Sequence, residues 1–369
     1  MPSPSYFPLP GATWEHHTPE QAGFAPERLQ QAIDYSVSHE SIWPTDLNAA
    51  LAQSNAAEGP NGAVIGPVKD RGGVSGLILR NGYIVAEWGD PARVDMTFSI
   101  SKSYLATLTG LALDRGLIRS IDDPVREYAD DGGFDPPHNS KIRWRHFLQL
   151  TSEWSGTLWD KPDSVDHNRA VGGDANAGPK GSPREMQEPG THWEYNDVRV
   201  NRLSLALLRV WGKALPDVLR ENIMDPIGAS DTWQWHGYRN SYVEIGGQQV
   251  QSVSGGGHWG GGIWINTYDH ARFGYLHLRN GRWGDRQILS EAWVKTATSP
   301  CDINTGYGCL WWLNNGHVRY PSAPESSYFA IGWGSNLIWV DPEHDLVAVV
   351  RWIDGPAFDG FVQRVLAAI

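Results

Sequence analysis

The segment from residue 97 to residue 118 constrains the fold more than any other part of this 369-residue chain. Leu105, Leu108 and Ala112 recur at i, i+3 and i+7, which is the spacing of one apolar helical face. Gly116 follows where a glycine can end a helix. The pattern predicts a helix of about four turns.

The first turn of this helix carries Ser99 and Lys102, three residues apart and therefore about 5–6 Å apart on one face. A serine hydroxyl needs a base within hydrogen-bond reach, and a lysine whose pKa is lowered by burial can be that base. The helix N-terminus favours the oxyanion that forms when Ser99 attacks a carbonyl. The alternative is a capping serine and a solvated lysine, because Ser-x-x-Lys arises by chance in many proteins.

The rest of the chain reads as strands at both ends and helices between them. Two β-rich runs within residues 73–90 flank Asn81-Gly82, which is the strongest short hairpin signal. Further strands are predicted at 327–331, 336–340 and 346–352, and helices at 25–39, 144–150, 198–211, 215–224, 268–279 and 358–369. Residues 40–70 and 160–189 lack periodicity and are interpreted as loops, and whether residues 155–190 form a lid is left open.

This order predicts an α+β fold with an antiparallel sheet flanked by helices. We expect residues 1–105 and 255–369 to form the sheet lobe and residues 106–254 a helical lobe, with the active site in the cleft between them.

Composition excludes several classes of partner. Asp plus Glu total 42 against 30 Lys plus Arg, and the net charge of −12 argues against nucleic acids and anionic membranes as partners. No signal peptide and no run of about 18 apolar residues is visible, so a cytoplasmic location is expected. Cys301 and Cys309 are interpreted as free thiols, since two cysteines alone cannot form a structural zinc site.

Other hydrolase chemistries find little support in the chain. There is no Gly-x-Ser-x-Gly elbow for a Ser-His-Asp triad. There is no His-Glu-x-x-His motif, and His16-His17 lies in the N-terminal arm, so neither a metal nor a cofactor is expected.

Several segments together resemble the serine β-lactamase/penicillin-binding-protein superfamily, in its branch of class C β-lactamases, family VIII esterases and 6-aminohexanoate-dimer hydrolases. The resemblance covers roughly residues 20–369 and implies the β-lactamase/transpeptidase-like fold. It is carried by Phe98-Ser99-Ile100-Ser101-Lys102-Ser103, His146-Phe147-Leu148-Gln149-Leu150-Thr151-Ser152, Glu188-Pro189-Gly190, Tyr195-Asn196-Asp197, Asp225-Pro226-Ile227-Gly228 with Asp231-Thr232, and residues 269–273.

The resemblance implies a set of catalytic roles. Ser99 would be the nucleophile, Lys102 the general base and Tyr195 a proton relay to the leaving group, because a nearby ammonium favours its phenolate. The backbone N–H groups of Ser99 and Trp333 would form the oxyanion hole. Gly332 would permit the close backbone approach that such a hole requires.

This sequence departs from the family at two motifs. Asp197 stands where Tyr-x-Asn has an asparagine, and Ala330-Ile331-Gly332 stands where the third motif has Lys-Thr-Gly or His-Thr-Gly. A site without that cation leaves the carboxylate of a β-lactam uncompensated. We therefore expect a small ester or linear amide as substrate, with weak β-lactam turnover left open. The alternative is an eroded, non-catalytic binding or scaffold protein of the same fold.

Further residues are assigned to the cleft as hypotheses. Asp197, His258, Gly332, Trp154 and Trp259 are expected to contact substrate, although core packing explains each tryptophan equally well. Glu153 and Asp160 are expected at the rim, in contact with solvent. A homodimer is left open.

Overall fold

The computed structural model describes residues 6–10, 14–171 and 178–369. These residues form fourteen strands, of which the two-residue ones are short pairing contacts. In chain order they are β1 Ser75–Arg80, β2 Tyr83–Trp88, β3 Asp95–Met96, β4 Thr157–Leu158, β5 Lys161–Pro162, β6 Gln234–Ile245, β7 Gln248–Val253, β8 Gly262–Ile265, β9 Arg282–Trp283, β10 Arg286–Gln287, β11 Trp312–Leu313, β12 Tyr328–Gly332, β13 Asn336–Asp341 and β14 Leu346–Arg351.

Nine α-helices occur in the same described ranges. They are α1 Pro26–Ser38, α2 Leu47–Ser54, α3 Ser101–Asp114, α4 Trp144–Leu148, α5 Asp197–Trp211, α6 Leu215–Leu219, α7 Thr267–Leu278, α8 Glu291–Ala297 and α9 Phe358–Ala367. None of them is long and apolar enough to cross a membrane.

The main sheet joins the two ends of the chain. Its six strands run in the order β11-β12-β13-β14-β1-β2, and every neighbouring pair is antiparallel. The hairpin between β1 and β2 turns at Asn81 and Gly82, whose φ values of 53° and 89° fit the turn predicted from that dipeptide. Ser75 in β1 pairs with Arg351 in β14, so the N-terminal hairpin completes the sheet begun by the C-terminal strands.

Helices cover both faces of this sheet. Consecutive strand residues point to opposite faces, so Ile338 and Trp339 of β13 mark its two sides. A Cβ on Gly274 of α7 would lie only 2.8 Å from the side chain of Ile338, so α7 packs closely on that face. On the other face, Trp339 lies opposite Phe329 in the pairing of β13 with β12, and the Phe329 ring meets Phe358 of α9. The α+β architecture predicted from the sequence is confirmed.

Helix α3 runs through the interior and carries the predicted nucleophile turn at its start. All its residues from Ser101 to Ala112 are buried, and Gly116 has a φ of 70° just after it. A Cβ on Gly110 would lie 2.2 Å from the Trp293 ring, so glycine allows α8 to pack directly against α3.

Two predictions about secondary structure were wrong. Residues 40–70 are not one loop, because Asp46 caps α2 by accepting hydrogen bonds from the N–H groups of Asn48 and Ala49. The segment 106–254 contains the long strands β6 and β7 besides its helices, and they form a second antiparallel sheet with β3 and β8 in the order β3-β8-β6-β7. The exact division of the chain into two lobes stays a prediction.

Candidate active site

Ser99 sits in a tight turn directly before α3. A 3₁₀ turn covers Phe98–Ile100, and Phe98 has a φ of 50°, in the left-handed region. Such a conformation in a non-glycine residue costs about 1–3 kcal/mol and persists where its surroundings fix it. The Phe98 ring packs against those of Trp333 and Trp352, at 5.1 and 6.3 Å between centroids. Aromatic packing therefore holds the turn that presents the Ser99 hydroxyl.

Buried polar side chains fix the backbone next to this turn. Thr97 Oγ1 lies 2.7 Å from Nε2 of His270, and burial together with the charge of Arg351 holds the pKa of His270 well below its ordinary value. Arg351, the last residue of β14, donates to the carbonyls of Met96 and Ile265 at 2.9 and 3.0 Å. The main sheet therefore ties down the chain just before Ser99.

Ser99, Lys102 and Asp197 form a chain of polar contacts. Lys102 Nζ lies 2.8 Å from Ser99 Oγ and donates to Asp197 Oδ1 at 2.6 Å. The first contact follows from the three-residue spacing in the turn, whereas Asp197 arrives as the first residue of α5. The Lys102 and Asp197 side chains are each 2% exposed, so this ion pair is shielded from water.

The charge state of Lys102 differs from the sequence expectation. Burial pulls its pKa down, as predicted, but the charge and hydrogen bond of Asp197, with a contribution from Tyr195, outweigh burial and raise the pKa above its usual value. The expectation of a lysine with a lowered pKa was therefore wrong. The reason is that the asparagine of the Tyr-x-Asn motif is here a carboxylate.

Asp197 is stabilised as an anion from its other side. Arg169 Nη1 donates to Asp197 Oδ2 at 2.5 Å, and the backbone N–H of Asp197 donates to Asp166 Oδ2 at 2.7 Å. Burial would raise the pKa of Asp197, but Lys102 and Arg169 lower it far below its ordinary range. The contact with Asp197 and with Asp166 likewise raises the pKa of Arg169. Sequence reasoning missed Arg169 and Asp166, which lie in a stretch without periodicity.

A second layer of charged and polar side chains surrounds the contacts among Ser99, Lys102 and Asp197. His258 Nε2 lies 2.7 Å from Glu58 Oε1, and His258 Nδ1 lies 3.3 Å from Arg169 Nη2. A neutral ring protonated on Nε2 satisfies both contacts, since Nε2 then donates and Nδ1 accepts. His258 Nδ1 is also 3.5 Å from Asp197 Oδ2. His258 therefore lies against Asp197, and its contact with substrate stays a prediction.

Three ligand-type groups in this layer are close enough together to hold a cation. Glu58, Asp166 and His258 bring one such atom each within 4.8 Å of one another. The ammonium of Lys180 lies among them, in contact with Glu58, 3.1 Å from Asp166 Oδ1 and 3.5 Å from His258 Nε2. The protein therefore supplies the cation at this position itself.

Tyr195 lies beside the same charges, two of which sit over its ring. Lys102 Nζ is 4.6 Å and Arg169 Cζ 5.2 Å from the ring centroid, within the range of cation–π contacts. The ring stacks on Trp312 at 5.8 Å and is buried. The fold thus brings Tyr195 beside Lys102, although the two residues stand far apart in the chain.

A small pocket opens at Ser99. It has a volume of about 40 Å³, and α2, which the sequence reading missed, forms one wall. Its lining residues are Leu51, Ser54, Asn55, Phe98, Ser99, Arg169, Asp197, Gly256, His258 and Trp333. Gly332 lies against the turn, because a Cβ at this position would be 2.1 Å from the Thr97 carbonyl oxygen.

The two predicted tryptophans and Glu153 lie elsewhere among the described residues. Trp154 donates from Nε1 to the Gly133 carbonyl at 2.9 Å, and Trp259 donates to Glu58 Oε2 at 3.0 Å. Neither ring lines the pocket at Ser99. The expectation that Glu153 is solvated was wrong, because its side chain is fully buried.

Glu153 belongs to a buried ion network beneath the start of α5. Its carboxylate accepts from Arg184 Nη2 and from Arg199 Nη1, both at 2.6 Å. Both arginines also bond Glu194, and Arg199 bonds Asp163. Burial would raise the pKa of Glu153, but the two arginines and a backbone N–H outweigh it and lower the pKa to about 2. The network anchors the residues that precede Tyr195.

Gly256 leads to a test of the site geometry. A Cβ on this residue would lie 2.0 Å from Asp197 Oδ1 and 2.5 Å from Lys102 Nζ. We expect Gly256→Ala to push the two groups apart and to lower kcat/KM for a nitrophenyl ester by about 10²-fold, as misplacement by about 1 Å can. Gly73→Ala is the matched control, because a Cβ there meets nothing within 4 Å. An ester hydrolysis rate that is equal in both variants would contradict the prediction.

Comparison with known proteins shows the family of this chain. The family model described as beta-lactamase matches residues 62–357. The chain belongs to the beta-lactamase family. The predicted resemblance and the β-lactamase/transpeptidase-like fold are therefore confirmed, and the chain falls within a superfamily of serine hydrolases.

Relatives of this beta-lactamase-family chain are distant. It is 22% identical over 392 residues to the Escherichia coli O157:H7 protein named "Putative D-alanyl-D-alanine carboxypeptidase", covering 90% of this chain and 84% of that protein. A penicillin-binding protein homologue from Caulobacter crescentus superposes with a TM-score of 0.58 at 15% identity, over 89% and 99% of the two chains. The Bacillus anthracis structure named "Putative 6-aminohexanoate-dimer hydrolase" superposes with a TM-score of 0.54 at 16% identity, over 79% and 77%.

Proposed function

We propose that this chain is a serine hydrolase that cleaves small esters or linear amides through an acyl-enzyme on Ser99. The observation that carries the proposal is the 2.8 Å contact between Ser99 Oγ and the buried Lys102 Nζ, at the mouth of a pocket. A hydroxyl paired with a buried lysine on a helix N-terminus is suited to nucleophilic attack on a carbonyl.

The proposed reaction assigns one step to each group. Lys102, in its neutral form, takes the proton of Ser99 while Oγ bonds to the substrate carbonyl carbon. The N–H groups of Ser99 and Trp333 stabilise the oxyanion. Two observations support this role: both residues line one pocket, and Gly332 approaches the turn closely. Tyr195 gives a proton to the departing alcohol or amine. Water, activated by the same side chains, then attacks the acyl-enzyme and releases the acid from Ser99.

Two observations support a small substrate without a β-lactam carboxylate. The end of β12 reads Ala330-Ile331-Gly332, which offers no cation to pair with such a carboxylate. The pocket at Ser99, of about 40 Å³, has room for only a few heavy atoms. Esters and linear amides of short acids fit these limits, and β-lactam turnover would be weak.

A non-catalytic binding or scaffold protein is the second candidate. One observation favours it, namely the ion pair with Asp197, which keeps Lys102 charged and unable to accept a proton. Because the two candidates differ in whether Ser99 reacts at all, a covalent probe separates them.

The test is intact-mass spectrometry after incubation with a serine-reactive phosphonate at pH 7.5 and at pH 9.5, followed by peptide mapping. We expect one adduct, on the peptide that contains Ser99, and none in Lys102→Ala. If no adduct forms at either pH on protein shown to be folded, the hydrolase proposal fails and the binding protein is favoured.

A further inference from the structure

Asp197 is not equivalent to the asparagine that the Tyr-x-Asn motif has at this position. An asparagine there would accept the same hydrogen bond from Lys102 without adding charge. The carboxylate instead makes a 2.6 Å ion pair with a lysine from which solvent is excluded. Gly256 lies against both groups, since a Cβ there would be 2.0 Å from Asp197 Oδ1 and 2.5 Å from Lys102 Nζ. The glycine therefore leaves the space that the ion pair occupies.

We propose that Asp197 is a charge-setting residue, which holds Lys102 as an ammonium at neutral pH so that Ser99 is activated only in alkaline solution. The inference rests on the proposed function, since it concerns the base of that reaction. In alkaline solution hydroxide removes one proton from Lys102 Nζ and becomes water. The neutral amine then takes the proton of Ser99 Oγ as the new C–O bond forms.

The groups that face Lys102 support this assignment when their charges are counted. Asp197 and the Tyr195 ring touch Lys102 directly, and Arg169 touches Asp197. Beyond these lie Asp166, Glu58, Lys180 and the ring of His258.

Three carboxylates of the cluster, on Asp197, Asp166 and Glu58, contact the basic side chains of Lys102, Arg169 and Lys180. Removing the proton from Lys102 takes the cation away from Asp197 Oδ1, which is unfavourable in a site shielded from water. The buried contact with Asp197 thus favours the charged form of Lys102.

The first experiment compares pH profiles of ester hydrolysis. We expect Asp197→Asn to move the acid limb of kcat/KM for p-nitrophenyl acetate to lower pH by about one to three units, because loss of an adjacent opposite charge shifts a titration by that much. Asp166→Asn is the matched control, since this buried carboxylate contacts Arg169 and Lys180 but makes no hydrogen bond to Lys102. The acid limb of kcat/KM should move less in Asp166→Asn than in Asp197→Asn. A limb that stays in place in Asp197→Asn overturns the proposal.

The second experiment does not depend on activity. Lysine is labelled with ¹³C at Cε, and the Lys102 signal is assigned by its absence in Lys102→Arg. We expect this signal in the unmodified protein to keep the shift of an ammonium from pH 7 through pH 9. A neutral Lys102 at pH 7 overturns the inference even if Ser99 reacts with the phosphonate, whereas a charged Lys102 with an unreactive Ser99 at every pH overturns only the hydrolase.

Discussion

Ser99→Ala is expected to lower kcat/KM for p-nitrophenyl acetate by at least about 10³-fold, because removal of a nucleophile leaves only binding and electrostatic contributions. The midpoint of thermal unfolding should change little, since Lys102 is the one hydrogen-bond partner of the Ser99 hydroxyl among the described residues. Both quantities are measured on the purified variant at the pH of greatest activity.

Ser38→Ala is the control for that variant. The Ser38 hydroxyl donates to the Tyr35 carbonyl within α1, remote from the site in sequence and fold. It should retain the full rate. Hydrolysis that persists in Ser99→Ala at the rate of this control would mean that another group attacks the ester.

The second large effect concerns stability rather than rate. Arg199→Met should lower the free energy of unfolding by about 3–5 kcal/mol, because it removes the cation shared by Glu153, Glu194 and Asp163 and leaves their buried carboxylates undercompensated. Urea unfolding followed by circular dichroism measures the change.

Arg145→Met is the matched control for the ion network. Arg145 also makes two contacts with one carboxylate, that of Asp122, but both side chains are more than one third exposed. An exposed pair of this kind contributes about 0–1 kcal/mol. Equal losses in Arg199→Met and Arg145→Met would show that burial adds nothing to the network.

The same network predicts how stability depends on pH. Despite burial, its two arginines hold the pKa of Glu153 at about 2 in the folded chain, against an ordinary value of 4.5. A lowered folded pKa means that this stabilisation is fully present above the unfolded value and is lost as the pH falls through the folded one. Unfolding midpoints should therefore decline between about pH 4.5 and pH 2, and less steeply in a Glu153→Gln variant.

The sequence predicted those parts of the fold whose signals are local. The helix at Ser99, the Asn81-Gly82 hairpin and the late strands each follow from spacing or turn chemistry within about twenty residues. Helix α2 was not predicted because it is only eight residues long and its capping aspartate lies between Pro44 and Asn48. Short helices are stabilised mainly by tertiary packing, which no local pattern reports.

The charge states of the site residues were harder to predict from the sequence than the identity of those residues. The Ser-x-x-Lys motif correctly predicts that Lys102 lies beside Ser99. The charge of Lys102, however, depends on Asp197, which stands 95 positions later in the chain. The departure of Asp197 from the Tyr-x-Asn motif was the one signal available. Arg169 carries no signal of its own, because a lone arginine in a non-periodic stretch is usually solvated.

The pairing of Ser75 with Arg351 has a consequence for synthesis of the chain on the ribosome. Strand β1 leaves the ribosome long before β14 can pair with it, and until then its edge is open and prone to association. Arg351 also carries the hydrogen bonds that hold Met96 and Ile265 beside the turn at Ser99. A nascent chain that has not yet reached β14 therefore lacks the contacts that tie down the segment before Ser99.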